Sequence, residues 1–342
     1  VQVLEDLAQK SKRNRAVVQV ALAQVYMKRG ALDKARPILE EAAKDPQDYE
    51  GNTLLGQLLL DAGVNAETAV EPLIRAVERN GSHAPARHLL TGAYVAQGKL
   101  AEAQKQVDAW LQDNPGSEVA LLDAALVALH SGKPRDASAA IAKGLRADST
   151  DLSALRLAAQ VHFAAGEPKA GFQSLERANK LNSKDAPTFC EIGQAFIRGG
   201  APDAAVQAYG AARDNDGKSF CAALGPHLAM HTAKGSGKVS PREEVTALIS
   251  RAESAWEKAM AQGTLALILI DDKKLNDAAS AADEAVATDP YSTVGWYAVS
   301  QVAKKQKNSP RALEALAKAA EYDASWLPVR MAYADELLGS KG

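Results

Sequence analysis

The sequence predicts an all-α solenoid of about nine tandem antiparallel helix pairs, flanked by capping helices. An internal repeat, helical spacing of apolar residues within each copy, and prolines at the expected helix starts all point to it. Composition agrees. The 342 residues exceed what one ordinary core needs, 46% are hydrophobic, 24% are charged and only 5% are aromatic. Ala and Leu recur throughout, as suits helices that pack through small contacts.

The repeat places a small residue and, three positions on, an aromatic or aliphatic one in a first helix. A turn glycine follows, then a small residue five positions later, then a Leu-like and an Ala-like position in a second helix. Copy one reads Ala23, Tyr26, Gly30, Ala35, Leu39 and Ala42, and copy two Gly56, Leu59, Gly63, Ala69 (one residue late), Leu73 and Ala76. Copy three has Thr91, Tyr94, Gly98, Ala103, Val107 and Trp110, and copy four Ala125, Ala128, Gly132, Ala137, Ile141 and Gly144. Copies five and six begin at Ala159 and Gly193, so Thr91, Ala125, Ala159 and Gly193 stand 34 residues apart. Two later copies run through Ala266, Leu269, Ala278 and Ala285, and through Trp296, Ala303, Ala312, Leu316 and Ala319. Pro134, Pro168, Pro202 and Pro310 fall at second-helix starts, where the missing N–H costs nothing. Ser240 and Glu243 read as a capping box.

The seventh copy is irregular. Pro226 falls inside its first helix and should kink it or delay its start. Lys234-Gly235-Ser236-Gly237-Lys238-Val239 lengthens the turn, either as a tolerated surface insertion or as a hinge between two semi-rigid halves. The expected organisation is therefore an N-terminal capping helix or truncated repeat over 1–15 and six repeats over 16–218. The irregular repeat follows over 219–258 with its insertion at 234–241, then two repeats over 259–324 and a C-terminal capping helix and tail over 325–342. Lys10, Lys12, Arg13 and Arg15 form a basic cluster that reads as a solvated turn.

This pattern resembles the tetratricopeptide repeat family over nearly the whole chain. The resemblance implies a right-handed superhelix whose first helices line a concave groove, and a function in holding a protein or peptide partner. In that family the ninth repeat position faces the groove, and here it gives Gln24, Gln57, Gly92, Leu126, Gln160, Gln194, Leu267 and Gln301. A primary amide both donates and accepts, so a row of them suits the backbone of an extended peptide. Glutamine is equally a good former of exposed helix, and that reading stays open. Val95, Leu122, Leu126 and Leu129 would add an apolar floor, and Arg156 and Arg198 positive charge, which suits a partner with hydrophobic anchors and an acidic residue or C-terminal carboxylate. Stacking between neighbouring repeats would also account for the leucines. The fifth position, with Val20, Thr53, His88, Leu122, Arg156 and Cys190, lacks the Lys and Asn pattern of a chaperone-tail clamp.

Other chemistry finds no support. His227 and His231 share a helix face, but the order His-Leu-Ala-Met-His lacks the glutamate of a zinc protease and no third ligand is evident. Gly235-Ser236-Gly237-Lys238 is no phosphate loop, because Val239 stands where Ser or Thr should hold magnesium. No catalytic residue, cofactor or metal is therefore expected. A net charge of -2 offers no case for nucleic acid, and the longest apolar run, Leu265 to Ile270, is too short to insert in a membrane. Cys190 and Cys221 lie near the starts of neighbouring first helices, within reach of a bridge, and buried free thiols are the expected state. The sequence opens at Val1, so targeting is not legible, and either cytoplasm or periplasm is compatible. The reading is a scaffold or adaptor, similar in style to bacterial assembly proteins of pili, secretion or polarity. A peptide-sensing regulator and a structural subunit packing through its convex face are the alternatives, and self-association through the end helices stays open. An enzyme would need a catalytic domain beyond this sequence.

Overall fold

The computed structural model describes residues 15–45, 47–61, 66–232 and 242–339. The expected helix over 1–15 apart from Arg15, the other members of its basic cluster, Gly63, the loop 234–241 and Ser240 of the capping box lie outside the described residues. The chain divides into two compact units, Val1–Asp123 and Ala124–Gly342. All 19 helices of the described residues are α, and antiparallel neighbours such as Arg15–Lys28 with Leu32–Ala42 and Ala186–Arg198 with Pro202–Asn215 pack as pairs.

The first unit holds α1 (Arg15–Lys28), α2 (Leu32–Ala42), α3 (Tyr49–Asp61), α4 (Ala66–Arg79), α5 (Ala84–Ala96) and α6 (Leu100–Asp113). The division falls inside α7 (Glu118–His130). The second unit continues with α8 (Pro134–Gly144), α9 (Leu152–Ala164), α10 (Pro168–Leu181), α11 (Ala186–Arg198), α12 (Pro202–Asn215) and α13 (Phe220–Thr232). It ends with α14 (Arg242–Arg251), α15 (Ala255–Asp271), α16 (Leu275–Thr288), α17 (Thr293–Lys305), α18 (Ser309–Tyr322) and the single helix α19 (Leu327–Gly339).

The reason for the repeat is visible at each helix crossing. Ala35, Ala69, Ala103, Ala137, Ala205, Ala278 and Ala312 are all 0% exposed, because a second helix can approach its partner closely only through a methyl group. One turn further along, Leu39, Leu73, Val107, Ile141, Leu175 and Leu316 fill the space behind that contact. The sixth copy substitutes Tyr209, which is 1% exposed and needs more room. Glycines supply it: a Cβ on Gly193 or Gly225 would stand 2.7 or 2.3 Å from the Tyr209 ring. The turns between paired helices take a left-handed residue, Gly132 at φ 66° and Gly200 at φ 73° among them. In the last two pairs the same place is held by Lys273 at φ 60° and Lys307 at φ 59°. Pro134, Pro168 and Pro202 open α8, α10 and α12, and Pro310 is the second residue of α18.

Two expectations are corrected. Pro226 does not delay its helix: α13 begins at Phe220 and runs through the proline. Its buried Leu224, Leu228 and Ala229 join the large core of the second unit and Ala222 packs with Ala186, Cys190 and Ala212, and that apolar burial outweighs one lost backbone bond. The cysteines are not free thiols. Cys190 on α11 and Cys221 on α13 are disulfide-bonded, with Cα atoms 6.1 Å apart, because the adjacent first helices bring them within bridging distance. Such bridges persist in oxidising compartments. At the C-terminal end, α19 buries Val329 and leaves Leu327, Met331 and Leu338 exposed.

The crossing at Tyr209 generates a paired expectation. Gly225→Ala should destabilise the chain by about 1–3 kcal/mol through overpacking. Gly92→Ala, in α5 with no atom within 4 Å of a new Cβ, should instead stabilise it by about 0.5–1 kcal/mol. Urea denaturation compares the two, and equal effects would remove the packing account of Tyr209.

Candidate functional site: a cavity in the second unit

The first helices α9 and α11 are capped at their N-termini, and with α7 they line one side of the site. Asp151 accepts backbone N–H bonds from Ser153 at 2.8 Å and Ala154 at 3.2 Å at the start of α9. Asp185 does the same for α11, taking Thr188 N–H at 3.0 Å, and also receives Arg156 Nη1 at 2.7 Å. Arg156 thereby ties α9 to the start of α11. Its charge, expected to add to a groove, is paired here with Asp185.

These helices form one wall of a cavity of about 330 Å³. From α7 come Leu126 and Leu129, from α9 Gln160, and from α11 Gln194 and Arg198. Five of the residues expected to face a groove therefore meet around one space. The opposite wall was not foreseen: it is the chain's own C-terminal part, with Asp289, Tyr291 and Ser292 from the turn before α17 and Asp323 and Trp326 from the turn before α19.

The two walls are fastened to each other. Arg198 Nε donates to Asp323 Oδ2 at 2.6 Å, 125 residues away in sequence. The side chains are 16% and 7% exposed, so this pair has left water. Asp323 also accepts from the backbone N–H and hydroxyl of Ser325, which helps offset its desolvation. Arg198 lies over the Phe163 ring at 5.4 Å. Ala324 N–H donates to Ala164 O at 3.0 Å. Turn glycines of the fourth and fifth copies complete the seam: Tyr291 and Tyr322 occupy the space a Cβ on Gly132 would need, and Ala324 Cβ lies 3.4 Å from where one on Gly166 would be.

The polar groups beside the cavity are far from their ordinary behaviour. Burial holds the His130 imidazole down at about 4, so it is neutral at physiological pH. Burial lifts the Asp289 carboxyl above the usual range, against the backbone N–H of Tyr291 that favours its charge. Burial also lifts Glu191, whose Oε1 accepts from Gln160 Nε2 at 2.7 Å, and the lowering pull of Arg198 does not cancel it. Three buried atoms here lack a hydrogen-bond partner: Glu191 Oε2, Arg198 Nη1 and Trp326 Nε1.

The remaining expected site residues are elsewhere. Gln301 in α17 donates to Ser300 Oγ at 3.3 Å. In the first unit Gln24 is exposed, Gln57 and Leu122 are half-buried, and Val95 is buried in α5. His227 Nε2 meets Glu244 at 3.2 Å and His231 Nδ1 meets Asp271 at 2.6 Å, so both imidazoles are engaged within the fold. Among the described residues no group of three or more His, Cys, Asp or Glu is placed to hold a metal ion, and no helix is long and apolar enough to cross a membrane.

Residues 122–186, from α7 to the start of α11, match the family model for the tetratricopeptide repeat. That segment carries the repeat. No curated protein matches it. Among solved structures, the APC/C hetero-tetramer Cut9–Hcn1 is similar at 13% identity and a TM-score of 0.62. That match covers 98% of this chain, which spans 66% of the length of the other. PilW, a type IV pilus biogenesis factor, is similar at 18% identity and a TM-score of 0.49, over 60% of this chain and 96% of that one. The TPR domain of P58(IPK) matches at 17% identity and a TM-score of 0.28, over 95% of this chain and 98% of that one. The first likeness is one of fold, over nearly the whole chain.

Glu191 gives a pH expectation. A carboxyl raised in the fold holds its proton more tightly there than in the unfolded chain. Its contribution to stability is present at low pH and is lost as pH rises from the unfolded value through the folded one. Glu191→Gln should therefore be more stable than the native chain at about pH 8, with the difference closing near pH 4, where unfolded glutamate titrates. Urea midpoints across that range check it, and a pH-independent difference would contradict the burial argument.

Proposed function

We propose that the chain is a non-catalytic protein-interaction scaffold that engages its partner on the first-helix face of the second unit. The observation that supports this most is the convergence of Leu126, Leu129, Gln160 and Gln194 on one cavity. A repeat protein buries its apolar faces between neighbouring pairs and has no structural need for an accessible apolar recess on its inner helices. The recess mixes apolar walls with a few polar groups that fix orientation, the usual composition of a recognition site. Service in a bacterial assembly machine for pili, secretion or polarity is compatible with this reading, and the partner decides it.

Chemical cross-linking in the source cell, followed by purification and mass spectrometry, tests the proposal. The native chain should yield a partner peptide cross-linked close to α9 or α11. Leu126→Asp combined with Gln194→Ala should reduce its recovery by about tenfold or more. Equal recovery from a folded double variant would place recognition outside the cavity and favour a structural subunit that packs through its outer faces.

A further inference from the structure

The inner ends of the first helices in the fourth to sixth copies are covered by the chain's own later turns. Asp323 receives Arg198 Nε at 2.6 Å, and Ala324 N–H donates to Ala164 O at 3.0 Å. The Tyr291 and Tyr322 rings cover the Gly132 turn, and Leu327 stands 3.8 Å from where a Cβ on Gly200 would be. Every one of these contacts is made at a turn or at the first or last residue of a helix. The apolar packing divides at the same seam. Ala159, Phe163 and Leu175 of the fifth copy pack with Ala195 in one cluster, whereas Trp326 and Val329 belong to another.

An interface held by so few apolar contacts opens at a lower free energy than the cores on either side of it. The closed state also carries a cost that opening relieves. Arg198 Nη1 and Trp326 Nε1 are buried without a hydrogen-bond partner. Water satisfies both donors once the walls part, and it hydrates the separated charges of Arg198 and Asp323 as well. A solenoid supplies the motion, because a small rotation at each repeat interface accumulates along the array without breaking any one of them.

We propose that the turn Asp323–Trp326 is an autoinhibitory clasp, closed over the inner ends of α9 and α11 and released as a unit while every helix pair stays folded. The Arg198–Asp323 pair is its latch. Resting on the scaffold reading, the closed form withholds Leu126 and Gln194 from a partner polypeptide and the open form presents them. The apparent affinity for that partner is then reduced by the fraction of molecules that are open.

Pulsed electron paramagnetic resonance on the intact chain tests this. Spin labels are placed through Lys143→Cys in α8 and Glu314→Cys in α18, both exposed positions, with the Cys190–Cys221 bridge kept. The native chain should show one main distance, with a longer one in about a tenth of molecules or fewer. Asp323→Asn leaves Arg198 unpaired and buried only in the closed form, and should shift the open-to-closed ratio by about 100-fold. Ala324→Phe keeps both charges and drives a ring into the 3.4 Å gap beside the Gly166 turn, and should shift the ratio the same way. Far-UV circular dichroism should match the native chain in both, and Ala324→Phe decides if Asp323→Asn does not fold. An unchanged distance in a folded variant would overturn the clasp. Helix loss in both variants would also overturn it, because the seam would then belong to the cooperative core. In the source cell, the opened variants should raise partner cross-linking by about tenfold. Open variants with unchanged recovery of a partner would overturn the inhibitory role alone, whereas no partner from any form would count against the scaffold reading.

Discussion

A helix pair with one apolar face cannot bury that face alone, and every feature of this chain follows from stacking the next pair against it. Close stacking depends on the small residue at each crossing. Alanines at 0% exposure there fix how near the second helix comes, and the Leu-like residue behind them fills what remains. The constraint is local, so each copy satisfies it with its own residues. Where one copy departs, its neighbours adjust: Tyr209 is accommodated by Gly193 on the helix before it and Gly225 on the helix after it.

In the second unit the same stacking has a non-local result. The inner helices of the fourth to sixth copies meet turns from the last copies, and the recess between them becomes a bounded cavity. A buried ion pair, Arg198 with Asp323, fixes that meeting point, with the backbone bond from Ala324 to Ala164 beside it. Buried pairs of this kind contribute modestly to net stability but strongly to register, since either partner alone would be an uncompensated charge. The pair also neutralises the charge of Arg198 within the fold.

Much of the fold was legible because its cause is periodic. Small residues 34 positions apart and prolines at helix starts are written in the sequence, and they identify the pairs without any knowledge of long-range contacts. The seam was not legible. Asp323 sits in an ordinary turn and nothing near it in sequence names Arg198, 125 residues away, as its partner. The partner of Arg156 was hidden for a related reason, since Asp185 also serves as the cap of α11. Pro226 shows the limit of local propensity: the surrounding apolar burial overrides the proline. One signal was available and unused, the glycine immediately before that proline, which marks the close approach to Tyr209. Lys273 and Lys307 carry the left-handed turn without glycine, so the last turns hid their equivalence to the earlier ones.

The cavity depends on the C-terminal turns lying against the inner helices of the fifth and sixth copies. Ala324 Cβ lies 3.4 Å from the position of a Cβ on Gly166, close to the separation a disulfide spans. Gly166→Cys with Ala324→Cys, made in the chain that keeps its Cys190–Cys221 bridge, measures this directly by peptide mapping after mild oxidation. A cross-linked peptide joining residues 166 and 324 within one chain is the predicted result. Two unlinked thiols at those positions in a folded variant would contradict the meeting of the two walls.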